Sequence, residues 1–255
     1  MCTLAYWLDD EGRMNILFNR DEARSRPEAD EPALHVDRTG CRRLFARDPQ
    51  GGGTWLAVNS GGTVAALLND YRNGPVSKPV NELATRGWLP LQFTAFNNFS
   101  QLAACRDTLP LVRYNPFKLM VFRRRSPEVI DVGRLTWDGS VKAWSRSQRL
   151  FGYETSSSQD PEAVEPHRLR LLQRLKEPRG RYKEWIDGLF GLFNVEDPDN
   201  PQQAILMDRP ATRTVSQTHV IVDGKSVDFQ YSKRRQHIGF DPPHVISSDL
   251  CIPAT

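Results

Sequence analysis

Residues 1–27 read MCTLAYWLDDEGRMNILFNRDEARSRP, and their pattern decides the fold. Residues 2–8 (CTLAYWL) predict a strand that starts at the second residue. Asp9-Asp10-Glu11-Gly12 predicts a turn, with the glycine free to take a positive φ. Residues 14–19 (MNILFN) predict the returning arm of a hairpin. The polar block Asn19-Arg20-Asp21-Glu22 closes that hairpin and so falls beside Cys2. In strand geometry Asn19 and Asp21 share a face and Arg20 takes the other.

Outward from this hairpin, residues 20–53 are polar and broken by Pro27, Pro32 and Pro49, which leaves room only for short pieces near Leu44-Phe45. The run Gly51-Gly52-Gly53-Thr54 lacks the Lys and following helix of a phosphate loop and reads as a close approach of backbone, with Trp55 in the core. Residues 54–59 and 63–69 flank Ser60-Gly61-Gly62 as a second hairpin. Helices are expected over 80–92 and over 100–107, the latter capped by Ser100. Short strands follow at 118–123, 128–135 and 141–144, and Ser156-Ser157-Ser158 reads as a loop.

Further helices are expected at 161–176 and 181–194. The second places Trp185, Leu189, Leu192 and Phe193 on one side, as an outer layer of the domain or a contact in a homodimer. Strands return at 204–208, 214–223 and 226–232, the last two joined by Val222-Asp223-Gly224-Lys225. Helices do not alternate with every strand, so a doubly wound parallel sheet is not indicated. The expectation is an α+β fold of two mainly antiparallel sheets with helices against them, in one domain over 1–255 with a tail at about 233–255.

Composition bounds the function. The 255 residues carry 34 basic and 31 acidic side chains, a net charge of 34 − 31 = +3, with 39% hydrophobic and 25% charged residues. That is a globular chain without the basic excess of a nucleic-acid binder. Arg123-Arg124-Arg125 has no interleaved aromatic platform and reads as a solvated turn. No run of 18 apolar residues is present, and the acidic start lacks the pattern of a signal peptide. Cys2, Cys41, Cys105 and Cys251 form no CxxC pair, which points to a reducing, cytoplasmic compartment and away from structural zinc. The five histidines, His35, His167, His219, His237 and His244, form no metal motif; His219 reads as a satisfied sheet histidine rather than a metal or haem ligand.

Cys2 is the chemical candidate. Removal of Met1 would place a thiol and an α-amine on one residue, and the amine, with a pKa near 8, can accept the thiol proton without a histidine. An Arg beside the thiol is expected to lower its pKa, making Cys2 the most reactive cysteine. A carboxylate beside the amine would orient it. The opposing reading makes Cys2 one more buried small hydrophobe and the charged block a solvated loop.

MCTLAYW, NRDEARSRP (19–27), GGTWLAVNSGG (52–62) and AALLND (65–70) resemble the transport and Golgi organisation protein 2 family, also called the NRDE family. YNPFKLMV (114–121) and ATRTVSQTHVIVDG (211–224) agree more weakly, and 134–180 diverges. The resemblance implies an N-terminal-nucleophile hydrolase fold with four layers ordered α-β-β-α. The opening also resembles cholylglycine hydrolase and penicillin V acylase, whose mature first residue is a catalytic cysteine. On that likeness Cys2, Arg20 and Asp21 are catalytic candidates, and Asn69 is a candidate oxyanion donor, with Leu68 standing where the family has Thr. Asn19, Glu22, Asn115 and Arg213 are the substrate-binding candidates.

The implied activity is hydrolysis or acyl transfer at a carbon–nitrogen amide bond of a small molecule, with no metal and no cofactor. The alternative is a non-enzymatic binding or trafficking protein for haem or another apolar ligand, since some family members are linked to Golgi organisation and haem handling.

Overall fold

The structure, a computed structural model, describes residues 2–76, 79–175, 182–235 and 239–250. Met1, His237 and Cys251 therefore lie outside the described residues. The first hairpin pairs β1 (Cys2–Leu8) with β2 (Met14–Ala23), Cys2 facing Arg20 and Leu8 facing Met14. Gly12 takes a φ of +69° in the turn, and Asp9 accepts the Glu11 and Arg13 amides. Both faces of the hairpin are buried. Leu4, Tyr6, Ile16 and Phe18 point one way, and Ala5, Trp7 and Leu17 the other. A strand buried on both faces belongs in the interior of a layered structure.

The first sheet runs β10 (Phe151–Ser156), β1, β2, β11 (Thr212–Val222), β12 (Ser226–Arg235), with β13 (Gly239–Phe240) and β14 (His244–Asp249) both pairing with β12. The second sheet is a meander of β3 (Ala33–Val36), β4 (Arg42–Phe45), β5 (Leu56–Asn59), β6 (Thr63–Asn69), β7 (Phe117–Ser126), β8 (Val129–Trp137) and β9 (Lys142–Arg149). Every pairing in both sheets is antiparallel.

The sheets stack on a core in which Leu4, Ile16 and Phe18 meet Val58, Val64, Ala66 and Phe122. Helices α1 (Leu89–Phe93) and α2 (Phe99–Thr108) cover the outer face of the second sheet. Helix α4 (Tyr182–Asn194) covers the first through Trp185, Leu189 and Phe193, beside α3 (Pro161–Gln173). The layers are thus α-β-β-α, as the family resemblance implies, and α4 is an outer layer.

Several local expectations are corrected. Residues 80–92 are not one helix: two short turns, Val80–Glu82 and Arg86–Trp88, precede α1. Gly87 is pressed against Gly53, its carbonyl accepting the Thr54 amide at 2.9 Å, and Pro90 fits only the first turn of a new helix. The cap of α2 is Asn98, whose side chain accepts the Gln101 amide, not Ser100. Residues 204–206 form buried bends rather than a strand, and 207–208 meet β11 through the Met207 amide on the Thr214 hydroxyl and a single bridge of Asp208 to Arg213. Ser156 ends a strand, β10, that was not expected. The tail also carries pairing, since β14 lies against β12 with Ser226 opposite Asp249. Polar sequences such as Lys142–Arg149 carry little alternation to announce an edge strand.

A side chain at Gly53 would place its Cβ 2.3 Å from the Gly87 carbonyl carbon. Gly53→Ala is expected to cost about 1–3 kcal/mol, read as a fall in Tm of roughly 2–10 °C. Gly191→Ala, on α4 with nothing within 4 Å of the new methyl, is expected to lose no stability. Equal melting of the two variants would contradict the close approach at Gly53.

Candidate active site

A cavity of about 280 Å³ lies at the end of the first hairpin, where β1 begins. Cys2, Arg20, Asp21, Glu22 and Asn69 line it, with Arg26, Asp48, Trp55, Tyr71 and Arg86. Five of the eight residues singled out in the sequence thus meet around one space.

Cys2 is buried on the inter-sheet face between Arg20 of β2 and Ser156 of β10. Its backbone nitrogen donates to Ser156 Oγ at 3.1 Å. Burial pushes the Cys2 thiol up to about 11, and the Asp21 charge acts the same way. The Asp21 amide and the Arg20 guanidinium oppose this without reversing it. Arg20 lowers the thiol pKa, as expected, but by less than burial raises it. The reason is where Arg20 spends its charge. Its guanidinium lies 4.1 Å from the centre of the Trp55 ring, 3.3 Å from Glu22 Oε2 and 3.7 Å from Asp48 Oδ2.

Asp21 points the other way, into the helix layer, with no exposed side-chain surface. The Thr214 hydroxyl donates to Oδ1 at 2.6 Å, and Arg168 Nη1 donates to Oδ2 at 3.3 Å. The hydroxyl arrives through an irregularity in β11: Thr214 faces Asp21 and Ser216 faces Arg20, leaving Val215 unpaired as a bulge. Arg168, on α3 and fully buried, also donates to the Thr3 hydroxyl at 3.2 Å and the Ser156 carbonyl at 3.4 Å. Its Nε donates to the Gln203 carbonyl at 3.1 Å. One guanidinium thus ties the three strands around Cys2 from behind.

Arg168 was not legible in the sequence. It sits in the divergent segment, and its neighbours make an ordinary amphipathic helix there. Tyr71 and Arg86 were also missed. Asn69 Nδ2 donates to the Tyr71 hydroxyl at 3.0 Å. Arg86 Nη1 donates to the Pro116 carbonyl at 2.7 Å, and burial holds its pKa below the usual range. Among the described residues no carboxylate lies within 4 Å of it. The one available signal was the glycine run, whose close backbone partner proves to be Gly87, next to Arg86.

Three candidates lie elsewhere. Asn19 faces the helix layer, donating to the Phe193 carbonyl at 2.9 Å and accepting from Gln217 at 3.0 Å. Asn115 accepts the Val76 amide at 3.1 Å and anchors a loop. Arg213 lines an adjoining cavity. His219 bonds Asn15 at 3.0 Å and stacks on Trp7, and burial lowers its pKa to about 4. Among the described residues no cluster of His, Cys, Asp or Glu is arranged to hold a metal, and no helix is long and apolar enough to cross a membrane.

The family model described as Transport and Golgi organisation 2 matches residues 1–238. Among solved structures, the chain is similar to a Caenorhabditis elegans ortholog of N-acylethanolamine-hydrolyzing acid amidase, at 12% identity and a TM-score of 0.53, covering 88% of this chain and 93% of that one. It is also similar to an arginine-to-leucine variant of the conjugated bile acid hydrolase from Clostridium perfringens, at 10% identity and a TM-score of 0.53, covering 97% and 92%. A cysteine-to-alanine mutant of the same hydrolase aligns with the same identity and TM-score over 98% and 92%. At such identities the likeness is one of fold. No curated protein sequence matches the chain.

Replacing Arg168 by Met strands a buried carboxylate without this cation. The expected loss is about 3–5 kcal/mol in urea unfolding. Asp21→Asn combined with Arg168→Met should cost clearly less than the sum of the single changes. Strict additivity would contradict the pairing.

Proposed function

Since the chain belongs to the Transport and Golgi organisation 2 family, we propose that it is an N-terminal-nucleophile amidohydrolase or acyltransferase whose nucleophile is Cys2, freed by removal of Met1. The observation that carries this reading is the position of Cys2: at the first turn-free residue of a strand, on the wall of a small polar cavity, with its nitrogen and sulfur on one residue. Proteins that share the fold include an ortholog of N-acylethanolamine-hydrolyzing acid amidase and a conjugated bile acid hydrolase, which supports it.

In this reading the α-amine of Cys2 takes the thiol proton as Sγ attacks the amide carbon. Asn69, steadied by Tyr71, donates to the oxyanion. The carbon–nitrogen bond breaks, and the α-ammonium returns the proton to the departing amine. Water, or another acceptor, then adds to the thioester; the amine takes its proton, and Sγ leaves and regains it. A thiol held neutral by burial suits such a mechanism, because the proton leaves only as attack begins. Burial equally favours the neutral form of the new amine. Asp21 and Arg168 serve as positioning residues that hold the strands around Cys2. A reducing compartment such as the cytosol suits a free thiol.

The non-enzymatic reading, binding or trafficking of an apolar ligand, has one observation in its favour besides the family's name. A cavity of about 550 Å³ at the other end of the hairpin is lined by Trp7, Leu8, Phe151, Tyr182 and Trp185.

Two measurements test the proposal. With Met1 retained, Cys2 should alkylate between pH 7 and 9 far more slowly than in the unfolded chain. A thiol with its pKa raised from 9.0 to about 11 keeps a thiolate fraction about 100-fold lower, and the rate should climb only toward pH 11. With Met1 removed, verified by intact mass, a panel of N-acyl amides should be turned over. Cys2→Ala and the Met1-retaining chain should fall by at least about 1,000-fold. Equal turnover by the Cys2→Ala protein would overturn the reading.

A further inference from the structure

The cavity of about 370 Å³ that adjoins the Cys2 cavity shares Arg20, Glu22 and Arg26 with it. Its far wall comes from β11 and β12 and holds Arg213, Lys233 and Arg234. Most of its cations already have partners. Arg26 pairs with Asp48 at 2.5 Å, Lys233 with Glu31 at 2.7 Å, Arg234 with Glu196 at 2.5 Å, and Arg24 with Asp208. Among the described cations lining this cavity, Arg213 alone has no carboxylate within 4 Å. It donates to the Arg234 carbonyl, at a long 3.4 Å. Burial and the nearby Arg24 and Arg234 charges pull its pKa down, against Asp208 and Glu28, which act the other way.

The bulge at Val215 is what aims it there. Paired residues share a face, and Arg213 lies opposite Glu22, on the same face as Arg20 and Cys2. Without the extra residue Arg213 would point into the helix layer. From Cys2, Arg213 lies two strands across and two residues along, a Cα separation of roughly 12 Å by strand geometry. Its guanidinium turns toward β12, where it donates to the Arg234 carbonyl, and so lies across the shared wall from the thiol.

We propose that this second cavity anchors a carboxylate of the substrate, so that the amide cleaved at Cys2 belongs to an anionic molecule, gripped by Arg213 across the shared wall from the scissile carbonyl. The inference rests on the reading of Cys2 as an amidase nucleophile and adds the class of substrate. A planar guanidinium with free donors matches a carboxylate bidentately. The neighbouring paired cations add attraction without claiming the anion.

The test is a matched set of small amides. One carries a carboxylate on its acyl part, one carries it on its amine part, and in a third it is replaced by a carboxamide. With the Met1-free protein, kcat/KM should favour a carboxylate-bearing member about 10- to 100-fold over the neutral one; which member is preferred identifies the side that binds. Arg213→Gln should collapse that ratio, and Arg213→Lys should restore part of it. Equal use of anionic and neutral amides, or an unchanged ratio in Arg213→Gln, overturns the inference.

Calorimetric binding of the corresponding free acids to the Cys2→Ala protein separates the two readings. Binding that Arg213→Gln weakens tenfold or more, with no amide turned over by the Met1-free protein, rejects the amidase reading and keeps the anion site. Absence of binding by any of the acids rejects the anion site.

Discussion

A carboxylate and a guanidinium with no access to water, Asp21 and Arg168, hold the site together. Neither charge is tolerable alone in such a place, because removal from water costs several kcal/mol per ion unless partners replace it. The partners are supplied by five elements. Asp21 comes from β2, Arg168 from α3, Thr214 from β11, Thr3 from β1 and the Ser156 carbonyl from β10. Docking of α3 and the arrangement of four strands are thereby coupled to one another. Cys2 stands one residue from Thr3 and directly opposite Ser156 and Arg20, so its place follows from that coupling.

The period-two alternation of β2 divides the labour. Asp21 faces the helix layer and fixes geometry; Arg20 and Glu22 face the inter-sheet cavity and set its charge. Arg20 is held by Trp55, Glu22 and Asp48, so the thiol gains little from it and burial decides the pKa. A cysteine in that state needs a base of its own, which the α-amine of a freed Cys2 would be. The same β11 bulge that brings Thr214 to Asp21 turns Arg213 toward the cavity side. One extra residue thus serves both faces.

Much of the fold was legible because the apolar runs in the first seventy residues are short and are joined by turns that carry glycine. The hairpin Cys2–Ala23, the pairing of Cys2 with Arg20 and the opposite facing of Asp21 all follow from strand geometry. That Asn19 and Asp21 share a face was readable; that this face meets helices rather than the cavity was not, since both faces of β2 are apolar before it. Arg168 was hidden because a single buried arginine looks, in sequence, like any solvated helical one. Arg86 was hidden because its turn is held by a glycine–glycine contact 34 residues apart in the chain, Gly53 to Gly87. The strands β10 and β14 were missed, and β9 was expected only over 141–144, where polar edge sequences carry little periodicity. Asn115 looked available because it follows Tyr114 in a family-like block, yet its side chain closes a local loop.

The central claim is that a freed Cys2 is a nucleophile and not merely a buried thiol. The most direct measurement is intact and peptide mass spectrometry of the Met1-free protein after brief exposure to an activated acyl ester. The account predicts a single acyl group, carried as a thioester on Cys2, that disappears on longer incubation in water and never forms when Met1 is retained. Acylation spread over Cys41, Cys105 and surface lysines, with Cys2 unmodified, would contradict it.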